Sequence, residues 1–267
     1  LNQFTDNPRK DNSLLEQLFA LLPRKMKNVA DYLLPADAEP EQIQNVIDRE
    51  TDLLAMMETQ MQALPSNDSK EKTLLEEWNL SITPVNNEKE LRQIKRHMGH
   101  SADCFSKAFR VKNSNRDNAF WNYYDKHNYH KEDIHYWYHG SRNMNCLSIL
   151  HNGLILNPKA PKVGHMFGYG IYLAPKAKKS IGYTSLNGSF WVHGTSDTAY
   201  LFVMKTVYKS PYHVYTWTSG MKSLTKSRIS PHDAVFAHAG TSLRNDEVVI
   251  FDDAQVTLQY IIELKQQ

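Results

Sequence analysis

Four histidines, His127, His130, His135 and His139, fall close enough together to suggest metal ligation. A helix would bring His135 and His139 to one face at i and i+4, but the aromatic run Tyr136-Trp137-Tyr138 between them favours a strand. Hydrogen-bonded or solvated histidines are therefore the stronger reading and zinc the weaker. Gly168-Tyr169-Gly170 has the look of a dinucleotide fingerprint, yet Leu173 occupies the third glycine position and the residues that follow read as a strand. No Walker A motif is present. Asp246 and Glu247 form an acidic pair that is either a catalytic carboxylate set or a solvated turn before a strand. Taken singly, Tyr172 in an apolar strand reads as core and His139 as a satisfied loop histidine.

The elements that must position these residues fall into two groups. From Ser13 to Leu64 apolar residues recur at helical spacing, with Leu14, Leu15, Leu18, Leu21 and Leu22 in one stripe and Ile43, Val46, Ile47, Leu53, Leu54, Met57 and Met61 in another. Pro23, Pro35, Pro40 and Pro65 punctuate them, and residues 37–41 read as the start of the second helix. Both stripes are expected to be core. Residues 65–70 read as a polar linker. Beyond it, residues 80–85 alternate as a strand and 88–97 as a helix. Short strands are expected at 136–138, 170–174, 200–204, 248–251 and 258–262, with short helices at 145–151 and 175–183. The spacing predicts an α+β chain: a small all-helical N-terminal domain over 1–73, then a mixed, mainly antiparallel sheet domain over 74–267.

Composition narrows the classes. The 267 residues are 41% hydrophobic and 11% aromatic, which excludes a wholly disordered chain. Two cysteines, Cys104 and Cys146, lack the spacing of a zinc site or a disulfide framework, and an intracellular, reducing compartment is expected. No apolar run reaches the roughly 18 residues of a membrane span, so no membrane partner is expected. The missing initiator Met suggests a fragment or a processed form. The net charge of +2 conceals an asymmetry: residues 1–73 hold 8 Lys+Arg against 13 Asp+Glu, the remainder 23 against 16, and all twelve histidines lie from His97 onward. A basic second part favours anionic ligands, although no dense Lys/Arg patch points to nucleic acid.

Four ordered motifs say more. His139-Gly140-Ser141-Arg142, then residues 166–174 (Met-Phe-Gly-Tyr-Gly-Ile-Tyr-Leu-Ala), then Lys179-Ser180-Ile181-Gly182-Tyr183, and finally residues 245–252 (Asn-Asp-Glu-Val-Val-Ile-Phe-Asp) followed by Ala254-Gln255-Val256 resemble the signature of the poly(ADP-ribose) polymerases. These are NAD-dependent ADP-ribosyltransferases of the diphtheria-toxin-like branch. The resemblance covers roughly residues 80–264. It implies NAD as a substrate and no metal.

It also implies roles. Breaking the nicotinamide–ribose bond develops positive charge on the ribose, which a carboxylate stabilises. Glu247 matches the family glutamate that does this, binds the nicotinamide ribose and orients the acceptor. Lys179 would lie beside Glu247 and keep it ionised. The rings of Tyr172 and Tyr183, the backbone of Gly140 and the hydroxyl of Ser180 would hold the nicotinamide. His139 would hold the adenosine-side ribose, with Ser141 and Asn145 lining the same half of the donor. The helical block resembles the regulatory domain of the DNA-damage-responsive members, though shorter. Residues 46–54 resemble its last-helix segment, which would turn Asp48 and Asp52, one helical turn apart, toward the adenosine side. The alternative is two acids solvating an exposed face.

Three positions depart from the pattern. Ile155 stands where the best-studied members have an arginine near the adenosine, Asn245 where they carry an acceptor-site tyrosine, and Tyr169 where they have a lysine. These changes bear on donor affinity and chain elongation more than on NAD cleavage. The expected activity is transfer of ADP-ribose to protein acceptors, the chain itself among them, with growth of a poly(ADP-ribose) product. A transferase limited to single ADP-ribose units on protein or nucleic acid, and a non-catalytic module holding NAD or ADP-ribose, remain alternatives. No zinc finger or other DNA-sensing motif is evident, so a response to DNA breaks would come from sequence before Leu1 or from a partner. An acidic helical gate would make deletion of residues 1–73 raise basal activity.

Overall fold

The computed structural model describes residues 7–21, 28–62, 72–156 and 166–266; the linker expected at 65–70, and Leu22, lie outside them. The described residues group into two compact units, one up to Glu58 and the other from Thr59 onward.

The smaller unit is helical. Helix α1 (Pro8–Leu21) starts with a proline at its first position, where the missing N–H costs nothing, and the Asn7 side chain accepts from Arg9 N at 3.2 Å. A single 3-10 turn (Val29–Tyr32) leads to α2 (Pro40–Gln62), again opened by proline. The Asn12 amide ties α1 to the connection, donating to Leu34 O at 2.8 Å and accepting from Leu34 N at 2.7 Å. Leu15, Phe19, Leu34 and Ile43 are buried.

The apolar stripe expected on α2 is only partly core. Val46, Ile47, Leu53, Leu54 and Met57 are half-buried, whereas Asp48, Glu50, Asp52 and Thr59 are buried. Asp48 and Asp52 therefore do not solvate an exposed face. Hydropathy periodicity cannot register that such acids find partners, as Asp48 does in Gln44 Nε2 at 2.7 Å and Glu50 in Arg49 Nε at 3.0 Å.

The larger unit begins with α3 (Leu74–Glu77), which Thr73 and Glu76 close with a reciprocal capping box. There follow β1 (Leu80–Pro84), α4 (Glu88–Met98), β2 (Phe105–Asn113), α5 (Ser114–Lys126), β3 (Ile134–Gly140), α6 (Cys146–Asn152), β4 (Ile171–Leu173), α7 (Ala177–Ile181), β5 (Thr198–Val207), β6 (Pro211–Val214), α8 (Lys226–Ile229), β7 (Ala234–Ala237), β8 (Glu247–Ile250) and β9 (Val256–Lys265). They build a five-stranded sheet in the order β1-β2-β9-β5-β3 and a four-stranded sheet in the order β4-β8-β7-β6. Every pair is antiparallel except β6 with β7. The chain is α+β with mainly antiparallel sheets, as its short-strand grammar predicts.

Alternation along the strands sorts the side chains. Leu201, Val203, Ile262 and Leu264 pack in one core layer, while Phe202, Met204 and Ile261 join Ile171, Leu173, Val248 and Ile250 in another. A third cluster, with Phe167, Val235, Val249 and Phe251, lies on the other face of β8. The two sheets meet at one bridge, where Tyr138 and Ala174 exchange backbone hydrogen bonds of 2.9 Å in both directions. That seam fixes where β3 ends relative to β4.

Candidate active site

Side chains on a strand alternate, so the bridging, buried Tyr138 leaves its neighbour His139 on the opposite face of β3. There His139 Nδ1 lies 3.0 Å from Tyr172 O. A carbonyl can only accept, so Nδ1 carries the proton and Nε2 is left as an acceptor. Burial pushes the imidazole below its ordinary value, and it is neutral at pH 7.

The next residue must be glycine. A Cβ built on Gly140 would lie 1.7 Å from the Ser180 carbonyl oxygen, so any side chain here would push α7 away. Ser180 itself is buried. Past Gly140 the chain turns through Ser141, whose Oγ accepts from Asn145 Nδ2 at 3.0 Å. Asn143 anchors this turn, its N donating to Ser185 Oγ at 2.9 Å and its amide to Thr198 O at 2.8 Å.

Tyr172 is the central residue of β4. Its hydroxyl accepts from Phe167 N at 2.9 Å and donates to Gly168 O at 2.8 Å. The hydroxyl is committed to holding the preceding turn, and burial, with the Glu247 charge adding to it, raises its pKa. What Tyr172 can offer a ligand is its ring.

Opposite Tyr172 in the ladder is Val249 of β8, and Glu247 is two residues before it on the same face. Tyr172 and Glu247 are thus diagonal cross-strand neighbours. The carboxylate is largely buried and ion-paired with Lys179 Nζ from α7, each side chain only 12% exposed. Tyr183, just past α7, has its phenol pushed up to about 12 by burial, again with the Glu247 charge contributing. Its ring stacks on Trp191, with centroids 5.8 Å apart and planes 18° from parallel.

The structure therefore brings together His139, Gly140, Tyr172, Lys179, Ser180, Tyr183 and Glu247, with Ser141 and Asn145 on the adjoining turn. Asp48 and Asp52 belong to α2 of the other unit. Of the departing positions, Tyr169 is exposed and Asn245 and Ile155 are half-buried. The remaining histidines have separate environments: His127 Nδ1 meets Tyr123 O at 2.9 Å, and His135 Nε2 meets Tyr208 O at 3.3 Å. Among the described residues no group of three or more His, Cys, Asp or Glu could hold a metal ion. Burial raises both thiols, Cys146 to about 12, so neither is a ready nucleophile. Sequence reasoning missed the turn at Phe167 and Gly168 as the partner of the Tyr172 hydroxyl, and Trp191 as the ring against Tyr183. Backbone partners leave no mark in a sequence, and Trp191 lies in a loop with no periodicity.

Residues 88–266 match the sequence model of the Poly(ADP-ribose) polymerase catalytic domain. The chain belongs to the poly(ADP-ribose) polymerase family. The catalytic domain of this family is an NAD+ ADP-ribosyltransferase. The chain is 31% identical over 147 residues to a poly [ADP-ribose] polymerase of Drosophila melanogaster, across 48% of this chain and 15% of that protein. It is 31% identical over 153 residues to poly [ADP-ribose] polymerase 1 of Gallus gallus, across 48% and 14%. It is 47% identical over 57 residues to poly [ADP-ribose] polymerase 2 of Homo sapiens, across 20% and 10%. The chain thus spans a minor part of the length of the curated relatives it matches.

Proposed function

We propose that this poly(ADP-ribose) polymerase chain cleaves NAD, releases nicotinamide and transfers ADP-ribose to protein acceptors and then to the growing chain. The observation that carries the reading is the buried Glu247 carboxylate at the start of β8, paired with Lys179 and diagonal to the Tyr172 ring. The nicotinamide is held between the Tyr172 and Tyr183 rings and oriented by the Gly140 backbone and the Ser180 hydroxyl. His139, neutral and with Nε2 open as an acceptor, takes a hydrogen bond from a hydroxyl of the adenosine-side ribose, and Ser141 and Asn145 line that half of the donor. The bond between nicotinamide and ribose C1 breaks with its electron pair leaving on nicotinamide. Glu247 stabilises the positive charge left on the ribose. The acceptor oxygen then bonds to C1 and gives up its proton toward Glu247. No step requires a metal.

The test is Glu247→Gln with labelled NAD. Nicotinamide release and polymer yield should fall about 100-fold, the scale on which one preorganised group stabilises a transition state; wild-type yield in the variant overturns the role. Single-unit transfer is the second reading, favoured by Asn245 and Tyr169, which depart from the family pattern set out above. Gel sizing of the labelled product separates ladders from single additions. For the helical unit we propose a regulatory role. Removing residues 1–73 should raise basal activity, and unchanged or lower activity with a folded remainder refutes it.

A further inference from the structure

Strands β6 and β7 run parallel, with His213 opposite Phe236 and Val214 opposite Ala237. Alternation turns Val214, Val235 and Ala237 into the core and leaves His213 and Phe236 on the other face, together with Tyr215 and His238 just past the strand ends. There His213 Nδ1 and His238 Nε2 lie 2.8 Å apart. His213 and Tyr215 are exposed and His238 is half-buried, so the pair opens to solvent. The arrangement is held from several sides. The Tyr215 ring lies parallel to His238, with centroids 4.4 Å apart and planes 3° from parallel, and Phe236 packs against the same imidazole at 4.7 Å. The His238 backbone is pinned where its N donates to Val214 O at 2.8 Å and where Ala239 N donates to Asp246 Oδ1 at 2.7 Å.

Two imidazole nitrogens this close share a proton: one ring donates its N–H, and the ring that accepts is neutral. The same two nitrogens can instead hold a cation. The donating ring then gives up the shared proton, to its own other nitrogen if that is bare and to water if it is not, and both facing nitrogens offer lone pairs. Because χ2 of histidine is broad, the rings can swing those lone pairs to a common point. The spacing selects the ion. With metal–nitrogen bonds of about 2.0–2.1 Å, two nitrogens at a right angle lie about 2.9 Å apart, and two at a tetrahedral angle about 3.3 Å. The observed separation fits the right angle, which square-planar and tetragonal Cu(II) and Ni(II) prefer. No third His, Cys, Asp or Glu among the described residues completes the set, so the other positions fall to water.

We infer that His213 Nδ1 and His238 Nε2 form a two-histidine site for a divalent transition ion of tetragonal preference, Cu(II) ahead of Zn(II), with water in the remaining positions. The ion bridges the ends of β6 and β7. Since β6 is a 4-residue strand at the edge of its sheet, such a clamp stabilises the part of the ladder with the fewest partners. The site is independent of the donor-site reading: β6 is at the opposite edge of the sheet from β4, which carries Tyr172, and the ion takes no part in NAD cleavage.

The experiment titrates the whole chain, free of any histidine tag, with the chlorides of copper(II), nickel(II) and zinc(II) by calorimetry, and records the electron paramagnetic resonance spectrum of the copper-loaded protein. Copper should bind more tightly than zinc, and its spectrum should be tetragonal with coupling to two imidazole nitrogens. His213→Gln and His238→Gln should each weaken copper and nickel about tenfold or more, since losing even a group that only orients a ligand costs that much, and each should erase the two-nitrogen signal. Nickel should raise the melting temperature of the wild type and leave that of both variants unchanged. Melts without metal show whether the variants fold, and the exposed His213 carries the test if His238→Gln does not. A wild type that binds none of the three ions, variants that bind as the wild type does, or zinc held more tightly than copper overturns the site.

Discussion

The two sheets of the larger unit do different work. In the five-stranded sheet β5 and β9 are 10 residues long and β2 is 9, antiparallel throughout, so long runs of paired backbone lie over a continuous core. In the four-stranded sheet β4 has 3 residues and β6, β7 and β8 have 4 each. The short sheet carries Tyr172 and Glu247, and it touches the long one through the Tyr138–Ala174 bridge, beside His139. The candidate site residues of the short sheet thus lie on two of its short strands, β4 and β8. The long sheet supplies the rigidity that a short ladder lacks.

The largest effect should come from the long sheet. Ile262 is fully buried on β9, and Ile262→Ala should cost about 2–5 kcal/mol in unfolding free energy, read by denaturant titration. The kcat of the remaining folded protein should hold, and a tenfold fall in kcat without unfolding would break the division of labour. Glu247→Gln tests the converse. It should lower kcat about 100-fold, equivalent to about 3 kcal/mol, with a smaller loss of stability from leaving the Lys179 ammonium without its carboxylate. Unfolding as the main outcome would mean that the pair is primarily structural.

Tyr172→Phe sharpens the comparison within the short sheet. It keeps the ring but strands Phe167 N–H and Gly168 C=O, at a cost of about 1–3 kcal/mol in thermal stability. Nicotinamide release should fall far less than in Glu247→Gln, because the hydroxyl serves the turn and not the ligand. A loss equal to that of Glu247→Gln would assign the hydroxyl a role in the reaction.

The smallest effect is pH-dependent and sits at the seam. Burial depresses the folded pKa of His139 below the unfolded value of about 6.5, so the unfolded chain binds the extra proton. The His139 contribution to stability is therefore present above about pH 6.5 and is lost as pH falls through the window down to the folded value. His135 and His151 are shifted in the same direction. The melting temperature should drop between pH 7 and pH 5, and His139→Asn should make that drop shallower; an unchanged slope would place the half-buried imidazole outside the balance.

Much of the fold was legible. Strong alternation or helical spacing marked β1, α4, β3, β5, β8 and β9, and each falls within a few residues of its expected place. Elements that carried no such signal went unmarked. Strand β2 interleaves Ser106, Lys107, Arg110 and Lys112 with Phe105, Ala108, Phe109 and Val111 without regular alternation, although it lies between two partners. Strands β6 and β7 are only 4 residues long. For the acids of α2 an exposed face was the alternative left open, and the burial of Asp48 and Asp52 removes it.

The site divides along the same line. Residue types and their order, by resemblance to the family's motifs, grouped a histidine, two tyrosines, a lysine and a glutamate into one ADP-ribosyltransferase signature before any contact between them was known. Sequence separation hid how they meet. The resemblance already implied Lys179 beside Glu247, and the fold forms that pair across 68 residues; only the tertiary structure decided that Gly140 must be glycine because the Ser180 carbonyl occupies the space of its side chain, and that the Tyr172 hydroxyl is spent on its own turn. Those outcomes depend on register, packing distance and backbone partners, which are properties of chain segments brought together by folding and are written in no single stretch of residues.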